Sequence, residues 1–147
     1  MEPSHAASAV LEQFWDLSLP VDPIKIAQKM GISVYYSEGP DELSGFYNDE
    51  TKEIFIQENE TSTRQRFSVA HELGHAVLGH GTRQRAKISP YDPKESAANQ
   101  FAATLLMPSL AVRTMVEQRN MQFAELCSTF DVSEQAMAIR LMELRLV

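Results

Sequence analysis

The run His71-Glu72-Leu73-Gly74-His75 constrains the fold of this chain more than any other stretch. An α-helix advances about 100° per residue, so side chains four positions apart lie on the same face. In a helix, His71 and His75 therefore offer two imidazole nitrogens to one metal ion, with Glu72 beside them. This HExxH arrangement is typical of zinc hydrolases, in which such a glutamate takes a proton from the zinc-bound water. The pattern predicts a helix that carries part of a zinc site.

The alternative is that these histidines are ordinary helix residues, because amphipathic helices place His and Glu at this spacing by chance. Three of the four histidines of the chain, however, lie between positions 71 and 80. This clustering favours the metal site.

A zinc hydrolase needs a third protein ligand and keeps the fourth position of the metal for water. Glu95 lies 20 residues after His75, early in an alanine-rich helix that starts at Asp92-Pro93. If the two helices pack side by side, Glu95 looks onto the metal. Its alternative role is structural, as the third residue of a capping box with Asp92.

His80 is the other candidate for the third ligand. The long metzincin motif requires glycine at position 78 and histidine at position 81, where this chain has Leu78 and Gly81. We therefore favour Glu95 and interpret His80 as a structural residue or one at the lip of the site.

Metal-assisted hydrolysis of an amide bond also requires a group that stabilises the oxyanion. Tyr47, Tyr91, His80 and the nearby arginines are candidates that the sequence does not rank.

Hydrophobic periodicity and turn residues predict an α+β chain. Helices are expected at 6–16, 22–30, 62–78 and from 92 to just before Pro108, and strands at 32–36, 43–47 and 53–56. The segment 109–147 is expected to form two or three helices with breaks near Asn120 and at 131–133.

Length, charge and cysteine content narrow the class of protein. A chain of 147 residues is long enough for one domain with its own core. The net charge of −7 argues against non-specific binding to nucleic acid, and the single cysteine is typical of a reducing compartment. No apolar run is long enough to span a membrane, and the N-terminus lacks the features of a signal peptide. We expect a cytoplasmic protein.

The segment 109–147 has the proportions of a helix-turn-helix. It contains four arginines against five acidic residues, and its last helix carries only Arg140 and Arg145. A DNA-reading helix should present more phosphate-contacting side chains. We therefore expect no direct DNA binding, and a helical subdomain that packs on the core or grips a protein substrate.

The sequence closely resembles the ImmA/IrrE family of zinc metallopeptidases. The resemblance is carried by 66–75, Leu78 and His80, by 95–103 and 105–108, by 19–23, 26–27 and 31–32, and by 130–133 and 140–141. It thus covers nearly the whole chain.

The resemblance implies a minimal zincin-like core at 1–108, with a small antiparallel three-stranded sheet, the HExxH helix and a second ligand helix. A C-terminal, helix-turn-helix-like subdomain at 109–147 would pack on that core. By position, His71, His75 and Glu95 are the zinc ligands and Glu72 is the catalytic base. The family commonly has an acidic or polar residue where this chain has Ala97.

Members of this family typically cleave helix-turn-helix repressors of the Xre type, and some are encoded beside such a repressor as a toxin-like partner. The resemblance therefore implies a repressor or antitoxin as the protein substrate. The alternative is a zinc-binding docking module, or a toxin component, that regulates a repressor without proteolysis.

Overall fold

The computed structural model describes residues 1–39, 43–84 and 92–147 and confirms the α+β class. In chain order the elements are α1 (Pro3–Phe14), α2 (Pro23–Lys29), β1 (Ser33–Ser37), β2 (Gly45–Asn48), β3 (Glu53–Gln57), α3 (Ser62–Leu78), β4 (Arg83–Gln84), α4 (Pro93–Leu106), α5 (Ser109–Arg113), which a π-helical turn extends (Thr114–Gln118), α6 (Phe123–Phe130) and α7 (Glu134–Glu143). Among the described helices, none combines the length and the apolar character that crossing a bilayer demands.

The sheet has four strands in the order β1-β3-β2-β4. Strands β2 and β3 form the expected antiparallel hairpin, in which Gly45 lies opposite Ile56. Strand β1 pairs with the other edge of β3 and runs parallel to it, while the short β4 pairs antiparallel with β2. The sheet is therefore mixed, and the expectation of a wholly antiparallel, three-stranded sheet was wrong in this detail.

The burial of β3 explains why it takes the inner position between β1 and β2. Its Ile54 and Ile56 side chains are 0% and 1% exposed, whereas Tyr35 and Tyr36 of β1 are both more than 40% exposed. The strand with the most buried apolar residues gains most from a neighbour on both edges. Strand β1, with two half-exposed tyrosines, takes the edge.

Helix α3 spans the predicted range 62–78. Its N-cap is Thr61, whose side chain accepts a hydrogen bond from the backbone N–H of Arg64. At the other end Gly79 adopts the left-handed conformation, with φ of 72°, that ends a helix without a steric cost. The motif residues occupy the buried third and fourth turns of this helix.

Helix α4 packs closely along α3. Ala98 and Ala102 are fully buried, and a Cβ atom added at Gly74 would lie only 3.1 Å from Cδ1 of Phe101. Small residues thus allow the two helix axes to approach, and the close packing places the first turn of α4 beside the motif.

Helices α6 and α7 follow the predicted breaks at Asn120 and Asp131, both of which have positive φ. Phe130, Met137 and Leu141 belong to the same hydrophobic cluster as the residues of α3 and the sheet. The buried Arg140 donates from Nε to the carbonyl oxygen of Met107, 2.9 Å away. The core is continuous across residue 108, the predicted boundary between core and subdomain.

Arg66 of α3 ties distant parts of the chain together. Its guanidinium donates to the carbonyl oxygens of Val21, Phe130 and Asp131 at 2.8, 3.3 and 3.1 Å. The HExxH helix is therefore held both to the segment before α2 and to the end of α6.

Candidate metal centre

The two motif histidines face each other on α3 as the spacing predicts. Their rings are almost perpendicular, at 85°, and their Nε2 atoms lie 3.1 Å apart. His71 is 1% exposed and His75 is fully buried. Both imidazoles therefore direct the same nitrogen toward one point inside the protein.

The carboxylate of Glu95, on α4, lies at the same point. Asp92 caps the helix by accepting a hydrogen bond from the backbone N–H of Lys94, and Pro93 occupies the first helical position. This start of the helix places the Glu95 carboxylate so that Oε1 lies 3.0 Å from Nε2 of His71 and Oε2 lies 2.9 Å from Nε2 of His75. The structure thus brings the three predicted ligands together.

The separations of the donor atoms fit a small metal ion. Ligand atoms at about 2.0–2.1 Å from a tetrahedral zinc ion lie about 3.3 Å from one another. Here the two Nε2 atoms lie 3.1 Å apart, and those of His71 and His75 lie 3.0 and 2.9 Å from Oε1 and Oε2 of Glu95, respectively. An outward adjustment of a few tenths of an ångström would accommodate the ion, and two nitrogens with one carboxylate form a donor set suited to zinc.

Glu72 lies beside this centre and is fully buried. One donor atom from each of His71, Glu72 and His75 lies within 4.8 Å of the other two, so this trio alone is able to hold a metal. The two Glu95 oxygens lie 3.0 and 2.9 Å from Nε2 of His71 and of His75, so Glu95 provides a third group of donor atoms, and Glu72 is a further buried carboxylate at the same centre.

The second nitrogen of each motif histidine also has a partner. Oδ1 of Asn99 accepts a hydrogen bond from Nδ1 of His71 at 2.7 Å, and Nδ1 of His75 lies 2.8 Å from Nδ1 of His80. A hydrogen bond at Nδ1 fixes the tautomer that leaves the Nε2 lone pair for a metal. His80, a rival ligand in the sequence, instead contacts the ring of His75 from behind.

Replacing Asn99 by alanine is expected to weaken zinc binding. Without its acceptor, the His71 ring loses the contact that holds its orientation and tautomer, and such losses typically cost about 10- to 100-fold in metal affinity. Competition with a chromogenic chelator measures the affinity. Gln100→Ala is the control, because Gln100 lies next along α4 and bonds to Ser4 instead. Equal zinc affinity of Asn99→Ala and Gln100→Ala would contradict the role of Asn99.

Of the two tyrosines that are candidates for stabilising the oxyanion, the structure describes only Tyr47. The hydroxyl of Tyr47 donates to Oδ1 of Asp49 at 3.1 Å, and burial together with this bond raises the pKa of Tyr47 above its usual value. Tyr47 is therefore protonated at neutral pH, with its hydroxyl already engaged. Tyr91 lies outside the described residues, so its role stays a prediction.

A cleft of about 790 Å³ lies between the start of α3, the middle of α4 and α7. Asn99 lines this cleft, which therefore adjoins His71 on its Nδ1 side. The donor atoms converge on the opposite, Nε2 side of the ring. The cleft is a surface distinct from the metal centre.

Comparison with known proteins identifies the family to which this chain belongs. The model of the Peptidase_M78 family, described as the IrrE N-terminal-like domain, matches residues 27–142. A search of curated proteins found no significant match. Among solved structures, a Mycobacterium tuberculosis transcriptional regulator has a similar fold, with a TM-score of 0.73 at 20% sequence identity. The alignment covers 95% of this chain and 46% of that one, so this chain spans about half the length of the mycobacterial protein.

Proposed function

This chain belongs to the IrrE N-terminal-like family of metallopeptidases, and on that premise we propose that it is a zinc-dependent endopeptidase. The observation that carries the proposal is the convergence of His71, His75 and Glu95 on one point, with donor atoms 2.9–3.1 Å apart. Two histidines and a glutamate are a ligand set of catalytic zinc sites that keep one position open.

The residues of the centre have three different roles in the proposed hydrolysis. His71, His75 and Glu95 would hold the ion, while Asn99 and His80 orient the two imidazoles from behind. When bound, zinc supplies the Lewis acidity that makes water nucleophilic near neutral pH and polarises a peptide carbonyl. Glu72 takes the proton of the attacking water and returns it to the leaving amine nitrogen.

The buried position of Glu72 suits it to this role. The side chain is fully buried, and one of its carboxylate oxygens lies within 4.8 Å of a ring nitrogen of each motif histidine. Removal from solvent favours the protonated form of a carboxyl group, and a nearby cation favours the ionised form. These opposing effects are the means by which proteins bring a general base near the working pH.

We propose a helix-turn-helix repressor or antitoxin of the Xre type as the substrate and the cytoplasm as the compartment. The resemblance of the motifs to repressor-cleaving peptidases supports the substrate. The name of the mycobacterial protein with a similar fold also connects this architecture with transcriptional regulation.

Co-expression tests the function. The neighbouring genes are first searched for a helix-turn-helix repressor. The chain is then produced together with any such repressor, and mass spectrometry identifies repressor fragments. We expect two defined fragments with the native chain and intact repressor with Glu72→Gln. If Glu72→Gln still relieves repression while the repressor stays intact, the chain acts by docking, and the proteolytic function is wrong.

A further inference from the structure

Gly45 is the first residue of β2 and has no backbone reason to be glycine. Positive φ values among the described glycines occur at Gly31, Gly79 and Gly81 and not at Gly45. Glycine in a strand weakens the strand and often marks a close approach of another group. What this position supplies is therefore space.

The space lies against Glu72. A Cβ atom added at Gly45 would be 3.1 Å from Oε2, 3.2 Å from Cγ and 3.4 Å from Cδ of Glu72. The three nearest atoms all belong to that one side chain, and its carboxyl end is included. A methyl group at position 45 would push the Glu72 carboxylate by a few tenths of an ångström.

Glu72 has little room for such a shift. It is fully buried, and its neighbours along α3, His71 and Leu73, are 1% and 0% exposed. Strand β2 is held in turn by its pairing with β3, where Gly45 lies opposite the buried Ile56. The strand and the helix thus fix the distance between Gly45 and the carboxylate.

We propose that Gly45 is a positioning residue: its missing side chain sets where the Glu72 carboxylate lies relative to the metal centre. The inference rests on the proposed role of Glu72 as general base. A general base works within hydrogen-bond reach of the proton it takes, about 2.6–3.2 Å, so a small displacement disturbs proton transfer. The ligands His71, His75 and Glu95 are not among the atoms that the methyl group would meet first.

Thermal unfolding of four chains tests the contact itself: the native chain, Gly45→Ala, Glu72→Ala and the double variant. The measurement is made on zinc-saturated protein and repeated in chelator. With Glu72 present, Gly45→Ala is expected to lower the unfolding midpoint by roughly 2–4 °C through overpacking. With alanine at 72 the crowding is gone, and the same change should leave the midpoint equal or higher. An equal decrease in both backgrounds would overturn the proposal, since the effect of Gly45 would then be independent of Glu72.

Zinc affinity and kinetics test the functional consequence. For Gly45→Ala we expect zinc affinity within about twofold of the native chain, with kcat for the purified repressor reduced roughly tenfold and KM little changed. Loss of zinc affinity, or an unchanged kcat, would contradict a positioning role. Gly39→Ala is the matched control, because its added Cβ would meet only Nε2 of Gln57, at an ordinary 3.8 Å.

The two measurements separate two failures. If the native chain cleaves no repressor, the proposed function fails, while the unfolding experiment still decides whether Gly45 sets the position of Glu72. If cleavage occurs but the unfolding effects are additive, the positioning role of Gly45 alone is wrong.

Discussion

Glu72→Gln is expected to bind zinc as the native chain does and to lose peptide cleavage. Glutamine has the same shape as glutamate, so the buried packing beside Gly45 is preserved. Its neutral amide is a far poorer proton acceptor, and loss of a general base typically costs about 10²- to 10⁴-fold in rate. The Glu95 oxygens lie 2.9–3.0 Å from Nε2 of His71 and of His75, so the two histidines and Glu95 should hold the metal without the Glu72 carboxylate.

Two measurements on the same preparation check this expectation: zinc content by elemental analysis and the rate of repressor cleavage. Glu58→Gln serves as the control because Glu58 is exposed and follows directly after β3. It should retain both zinc and activity. A fully active Glu72→Gln chain would show that Glu72 is not the base.

Glu95→Ala and His71→Ala are each expected to lose zinc. Each removes one of three converging donors, and the effect should exceed the roughly 100-fold typical of residues behind the ligands. About one zinc ion per native chain, and little in either variant, is the expected elemental analysis. Cleavage should disappear together with the metal.

The Glu95 variant also decides between a ligand and a helix cap. Glu125 occupies the same third position in α6 as Glu95 does in α4, and both are the acidic residue of their first turn. Glu125→Ala therefore reproduces the loss of charge near a helix N-terminus without touching the centre. If both variants lose the same small amount of stability and Glu95→Ala keeps its zinc, Glu95 is a capping residue.

The helical part of the fold was predictable because helix signals are local. The limits of α3 depend on a capping hydroxyl at one end and on Gly79 at the other, and both signals lie in a short stretch of sequence, although the capping residue is Thr61 and not Ser62, which the spacing to Gln65 indicates. The breaks at Asn120 and Asp131 are equally local. The order of the strands is not determined by local sequence, because it depends on which strand gains most from burial on both edges. The parallel pairing of β1 with β3 therefore appeared only in three dimensions.

The residues of the candidate site likewise differ in whether local sequence predicts them. His71 and His75 follow from a spacing rule within one helix, and Glu95 followed from an inferred packing of two helices and from the family resemblance. Asn99 lies one turn beyond Glu95, a spacing that indicated its side of α4 but not its bond to His71. The contact of Gly45 with Glu72 joins a strand to a helix 27 positions away and has no sequence signal beyond an isolated glycine in a strand.

The hydrogen bonds from Arg66 to the carbonyl oxygens of Val21, Phe130 and Asp131 limit where this chain can be truncated or recombined. A fragment that stops at residue 108 would leave this guanidinium without two of its three backbone acceptors, and the carbonyl oxygen of Met107 would lose the hydrogen bond that Arg140 donates. It would also uncover the part of the core that Phe130, Met137 and Leu141 fill. The family match likewise runs on to residue 142. The last helices are therefore part of one continuous core, and recombination that replaced them would have to supply new hydrogen-bond acceptors for Arg66 on the HExxH helix.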